Sequence, residues 1–300
     1  MLKMLRRLVA GLSAALVAAS PAAAATARVP QSARPALWAV SDADTTVYLF
    51  GTIHLLPEHY QWRSPKLERA VQGSQGLVVE TIVDTKDPTK MMGALTSLAF
   101  SPGLPPLAAR VPPDKRGDLA NAIKASGFAP QALDRMETWA AAFLLLGNQF
   151  RNIGLKGGEG VEMGLRTSFA GAGKPIGELE SNVEQLGFFD RLPESAQRAL
   201  LLGSISTQQD MSKDFGGMLA AWSRGDVKAI ARTFDHDLDT SPELKQALIT
   251  QRNHNWSRWI EQRLATPGSV MVAVCAGHLA GKGSVISMLE KDGFKVRRLQ

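Results

Sequence analysis

Two stretches near opposite ends of the chain share one pattern: Val47-Tyr48-Leu49-Phe50-Gly51-Thr52-Ile53-His54-Leu55 and Met271-Val272-Ala273-Val274-Cys275-Ala276-Gly277-His278-Leu279. Each is an apolar run that breaks at small residues and then presents His-Leu. A run of β-branched or aromatic residues bounded by glycine reads as a buried strand, and the glycine lets the chain turn at the strand's end. Both histidines are therefore expected where strands stop, the edge at which open α/β sheets bind ligands. A single histidine after a strand is more often a hydrogen-bonded structural residue. A pair in matching context shifts the balance toward chemistry, because neutral imidazole ligates metals and titrates near neutral pH.

Working outward, residues 36–40 and 45–50 are expected to form a hairpin around Ser41-Asp42-Ala43-Asp44, followed by a helix from Ser64 or Pro65 through Val71. Gly76-Leu77-Val78-Val79-Glu80 reads as a third buried strand that ends on a carboxylate. From Asp84 to about Gly173 the periodicity turns helical, over residues 91–100, 114–126, 130–151 and 159–170, with proline pairs and Pro102-Gly103 as breaks. Residues 174–180 return to a strand, and helices follow over 182–189, 193–222, 226–234 and 242–265. A 281–292 helix and a 294–298 strand close the chain as a β-α-β unit. The expected fold class is α/β: a central sheet built from both chain ends carries the paired His-bearing strand ends, with a largely α-helical insertion over about residues 84–173.

Composition narrows the function classes. Lys3, Arg6 and Arg7 precede an apolar stretch over residues 8–17, and Ala22-Ala23-Ala24 supplies a small-residue cleavage signal, so residues 1–25 read as a secretory signal peptide. That stretch is too short for a permanent membrane anchor, and the expected location is periplasmic or secreted. The formal charge of +6 includes the three leader cations. With no dense Lys/Arg run interleaved with aromatics, nucleic acid is not an expected partner. The chain contains 300 residues, 45% of them hydrophobic, which suffices for one large domain over residues 26–300. Cys275 is the only cysteine, so no internal disulfide forms and stability must come from the core.

Several familiar chemistries are absent. There is no His-Glu-x-x-His, no Gly-x-Ser-x-Gly and no phosphate-binding Gly-x-x-x-x-Gly-Lys loop. Pro57 and the five-residue spacing keep His54 and His59 off one helical face, leaving His59 as an exposed loop residue. The glycine-rich Gly154-Leu155-Lys156-Gly157-Gly158-Glu159-Gly160 reads as a turn before a helix. Cys275 reads as a small buried residue rather than a nucleophile. The remaining constellation joins His54 and His278 to the strand-end carboxylates Glu80 and Glu180. A nitrogen/oxygen set of His54, His278 and Glu80 suits a hydrolytic divalent metal, while the same groups suit metal-free general-base catalysis. Arg252-Asn253, on the long helix before the second His strand, is expected to face the same cleft and either bind a substrate carboxylate or hold Glu80 or Glu180 ionised. Trp256 and Trp259 read as helix packing.

With these residues in view the chain resembles the TraB/GumN family, which includes the Tiki-type proteases. The resemblance runs from about Leu37 to Val296 and rests on the order of Phe50-Gly51-Thr52-Ile53-His54-Leu55, Val78-Val79-Glu80, Lys174-Pro175-Ile176-Gly177-Glu178-Leu179-Glu180, Arg252-Asn253 and Ala276-Gly277-His278-Leu279. It implies paired Gly-x-x-His motifs at His54 and His278, family acids at Glu80 and Glu180, and catalytic roles for these acids with Arg252 and Asn253. It also implies a metal-dependent peptidase acting on a peptide or protein substrate. The GumN name implies instead an envelope or exopolysaccharide-associated binding protein. In the second motif Cys275 stands where the family has glycine.

Overall fold

The computed structural model describes residues 33–83, 87–155, 160–205, 207–238 and 241–300, so the expected leader and Gly157-Gly158-Glu159 lie outside the described residues. The expected hairpin forms from β1 (Leu37–Ser41) and β2 (Thr45–Thr52). Its turn closes on Asp42, whose Oδ1 accepts from the Thr45 amide at 2.8 Å and the Asp44 amide at 3.2 Å. With β3 (Gly76–Val79), β4 (Ile176–Glu178), β5 (Gly268–Cys275) and β6 (Val296–Arg298) the hairpin builds a six-stranded sheet, ordered β4-β3-β5-β2-β1-β6. β4, β3, β5 and β2 are mutually parallel, and β1 runs antiparallel to β2 and to β6. The fold class is thus α/β, as expected. The closing strand pairs with β1 at the far edge and not beside β5, so the last crossover passes over two strands.

The parallel strands are apolar on both faces because both faces are covered. Alternation along β5 sends Val270, Val272 and Val274 to one side and Met271, Ala273 and Cys275 to the other. The second side carries the larger core and packs against helices that include α1 (Val161–Gly171). The first side is closed by α2 (Gln251–Leu264) and α3 (Val285–Lys291) through Trp256, Ile260, Leu264, Val285 and Leu289. Among the described residues no helix is long and apolar enough to cross a membrane.

Several expected elements are shorter than their periodicity suggested, among them the closing helix and strand, which keep Val285–Lys291 and Val296–Arg298. Residues 130–151 form two helices, Pro130–Asp134 and Thr138–Asn152. The break is made by buried Arg110, which takes the Asp134 and Met136 carbonyls at 2.6 Å each and removes them from a helical ladder. Residues 193–222 likewise divide into Glu194–Gly203 and Gln208–Ser223, because the Thr207 hydroxyl accepts from the Asp210 amide and starts a new helix. The strand expected over 174–180 keeps only Ile176–Glu178, which leaves Glu180 beyond its end.

Candidate functional site

Register brings the two histidine segments level. Thr52 pairs with Cys275 across β2 and β5, so His54 lies two residues past one strand, while His278 lies in a 3-10 turn, Ala276–Leu279, past the other. On the far side of β5, Val79 pairs with Ala273 and with Glu178 of β4, which puts Glu80 and Glu180 at the same edge. The Glu180 amide donates to the Glu80 carbonyl at 2.9 Å. The C-terminal edge of the parallel strands therefore gathers His54, Glu80, Glu180 and His278, with Arg252 and Asn253 supplied by α2.

Arg252 is the hub. Its Nη2 donates to Glu80 Oε2 at 2.7 Å and Glu180 Oε2 at 2.9 Å, and its Nε donates to Glu180 Oε1 at 2.9 Å. The guanidinium is 3% exposed, so this is a buried cation between two buried carboxylates. Such a cation stays charged only because each N–H has an acceptor and the acids supply the opposing field. The helix carrying it has a π turn, Gln246–Thr250, immediately before Arg252, and Arg252 Nη1 donates to the Leu248 carbonyl in that turn at 3.3 Å. Of the two roles expected for this guanidinium, the structure realises the one in which it holds the glutamates. Trp256, expected only to pack, donates its indole N–H to Glu180 Oε1 at 3.0 Å and lays its ring 4.4 Å from that of His278.

The tautomer of His278 follows from its partners. Its Nε2 lies 3.2 Å from Arg252 Nη1, and its Nδ1 lies 2.6 Å from Asn253 Oδ1. A guanidinium only donates, so Nε2 accepts; Nδ1 then carries the proton and donates to Asn253. Asn253 is oriented in turn by its own Nδ2, which donates to the Gly283 carbonyl at 2.8 Å. Burial, reinforced by Arg252, pushes the imidazole down to about 3, which keeps it neutral. Glu80 is pushed up by burial, but Arg252 and then the two histidines outweigh that and hold its carboxyl near 2. Burial pushes Glu180 up from its ordinary value against the pull of Arg252, so it is the more easily protonated of the pair.

These commitments test the fit of a divalent ion to His54, His278 and Glu80. The lone pair that His278 would offer is used by Arg252, and Glu80 Oε1 accepts from the Cys275 amide at 2.7 Å while Oε2 holds the guanidinium. A fixed positive charge stands between the ligands. As arranged, the set does not fit a metal ion, and among the described residues no group of three or more His, Cys, Asp or Glu side chains is arranged to hold one.

His54 is held separately, by a residue the sequence reading passed over. Its Nδ1 lies 2.9 Å from Glu162 Oε1, with both side chains 17% exposed, and the Thr52 hydroxyl donates to the same carboxylate oxygen. Burial pushes the His54 imidazole down, yet the charge of the Glu162 carboxylate, its acceptance of a hydrogen bond from the ring and the neighbouring Cys275 side chain prevail and raise it well above its usual value. Glu162 sits in the first turn of α1, and Gly160 explains how that helix comes so close. A Cβ at Gly160 would stand 2.0 Å from the His54 carbonyl oxygen, and the Val161 amide donates to the Ile53 carbonyl at 3.1 Å. The glycine-rich sequence ahead of the helix was the one sequence signal for this approach. His59 is a loop residue with its side chain 88% exposed, as expected, and takes no part.

The family model for the TraB/PrgY/gumN family matches residues 36–298, the sheet and every residue of the site. The chain belongs to this family. Two relatives, from Escherichia coli (strain K12) and Shigella flexneri, are each 25% identical over 242 residues, spanning 81% of this chain and 87% of their own. Both carry the name "Uncharacterized protein YbaP", which assigns no activity. No solved structure matches the chain.

Proposed function

We propose that the chain is an exported hydrolase of carboxylic acyl compounds, acting on an ester or peptide bond, in which the His54–Glu162 pair moves the proton. One observation carries this: a partly open imidazole is held at Nδ1 by a carboxylate 2.9 Å away, the base-and-orienter arrangement that general acid–base catalysis requires. Glu162 fixes the ring orientation and stabilises the imidazolium formed when His54 accepts a proton. Thr52 fixes Glu162. The Arg252 cluster keeps Glu80 ionised beside the histidines and rigid at the floor of the site. The leader read in residues 1–25 supports action outside the cytoplasm.

The metal-dependent peptidase implied by the resemblance requires Arg252 to release His278, which the present geometry does not favour. The test is turnover of activated esters and of a peptide library by wild type, His54→Ala and Glu162→Gln, with chelator and with added zinc or manganese. The proposal expects chelator-insensitive turnover that falls about a hundredfold or more in His54→Ala. Turnover that appears only with added ion would transfer the site to the metal-dependent reading. No turnover under any condition, together with stoichiometric binding of an envelope polysaccharide, would establish a binding protein instead.

A further inference from the structure

Three polar side chains at the sheet edge converge on one positive charge. Arg252 donates from Nη2 to Glu80 Oε2 at 2.7 Å and Glu180 Oε2 at 2.9 Å, from Nε to Glu180 Oε1 at 2.9 Å, and from Nη1 to His278 Nε2 at 3.2 Å and the Leu248 carbonyl at 3.3 Å. A guanidinium has five N–H groups, and these contacts engage them all. No donor is left over for a substrate, so Arg252 acts through its neighbours. The surroundings also suit a flat cation. The guanidinium carbon lies 4.6 Å from the centre of the Trp256 ring and 5.6 Å from that of Phe188, and aromatic faces attract a planar, weakly hydrated cation while offering a metal ion no lone pair.

Each of the three side chains is itself steered by a further group, as metal ligands are. Glu80 Oε1 accepts from the Cys275 amide at 2.7 Å, Glu180 Oε1 accepts from the Trp256 indole at 3.0 Å, and His278 Nδ1 donates to Asn253 Oδ1 at 2.6 Å. Two carboxylates and an imidazole, oriented from behind and aimed at one buried spot, are the donor set of a three-ligand centre with an open position. That spot is filled by a side chain of the same protein. We infer that Arg252 is the resident cation of this site, tethered where a divalent ion would otherwise sit, so that the centre is closed to metal while the guanidinium is in place and takes up a zinc-class ion once it is removed. Without the guanidinium two buried carboxylates lack a counter-charge, and buried charge demands a partner. The freed oxygens and His278 Nε2 can then draw in from hydrogen-bonding distance to the ligation distance of about 2.0–2.2 Å. The inference goes beyond the hydrolase reading, because it is read by ion binding and needs no turnover.

The experiment titrates zinc chloride into the full chain, first stripped of ions with chelator, and follows binding heat and melting temperature in wild type, Arg252→Ala and the double variant Arg252→Ala with His278→Ala. Wild type should bind no stoichiometric zinc and should melt at the same temperature with and without it. Arg252→Ala should bind one equivalent about a hundredfold more tightly than wild type and melt higher as zinc is added, because an ion held only by the folded chain stabilises it. The double variant should lose both effects. Stoichiometric zinc in wild type that disappears in His278→Ala overturns the inference, since the guanidinium would then yield to the ion. So does an Arg252→Ala chain that folds yet binds zinc no better than wild type. Should Arg252→Ala fail to fold even with zinc, the nitrogen-15 signals of His278 in wild type decide. An Nε2 in the unprotonated range that zinc leaves unmoved supports the resident cation, and one that shifts with a single equivalent of zinc overturns it. A wild-type chain that binds no zinc and hydrolyses nothing keeps the resident cation and loses the hydrolase reading, so the two fail separately.

Discussion

At the scale of single residues, the site holds several titratable groups far from their ordinary behaviour, and each makes folding depend on pH. Glu80 titrates near 2 in the fold against 4.5 when unperturbed, so its contribution is present above 4.5 and lost as pH falls toward 2. His278 is held neutral to about 3, whereas the unfolded chain takes up that proton below 6.5, so acid again favours unfolding. Glu180, pushed up, works in the opposite sense and blunts the acid limb. His54 is raised well above 6.5, so its contribution is complete below 6.5 and disappears as pH climbs through its folded value. Stability should therefore peak near neutrality and decline on both sides. Urea midpoints at pH 4, 7 and 9.5 check this, and a midpoint at pH 4 equal to that at pH 7 contradicts the assignment of Glu80 and His278.

At the scale of elements, the close seat of α1 on the end of β2 gives the sharpest mutational test. Gly160 has an ordinary φ of −77°, so its requirement is space and not backbone freedom: a methyl there meets the His54 carbonyl. Gly160→Ala should push α1 and Glu162 away from His54, reduce turnover by tenfold or more, and destabilise by about 1–3 kcal/mol as overpacking does. Unchanged kinetics and melting would show that the contact is not needed. The same elements show what was legible in the sequence. Strand ends were, because apolar runs stopped at Gly51, Glu80 and Gly277 mark the chain locally, and so Glu80, Glu180 and both histidines could be named in advance, while Arg252 and Asn253 were named from the helix that leads into the second His strand. Glu162 could not be named, because nothing nearby distinguishes it from any acid in a helix's first turn; its role arises only from a helix meeting a distant strand. The split of residues 130–151 was equally hidden, since the guanidinium that takes the carbonyls comes from Arg110, outside the window in which periodicity is read.

At the scale of the whole molecule, the pairing of β1 with β6 ties the first and last strands together. The Leu299 amide donates to the Leu37 carbonyl at 2.8 Å, and the Gln300 side chain reaches the Ser64 hydroxyl and the Pro35 carbonyl. Removing residues 294–300 should lower the melting temperature by several degrees and expose β1 as an unpaired edge, so light scattering on warming should begin earlier than for the intact chain. Equal melting and scattering would mean that β6 is dispensable. The position of β5 between β3 and β2 has a consequence for synthesis. Until residues 268–275 emerge, the β1–β2 hairpin and the β3–β4 pair have no strand to join them, and the sheet is two separate pieces. Since β5 and the turn that follows it deliver Cys275 and His278, a growing chain holds His54 and Glu80 for most of its synthesis without a site to put them in. On the proposed hydrolase reading the site is complete only when the final tenth of the polypeptide slots in as the keystone, so a chain truncated before β5 should be inert as well as unstable.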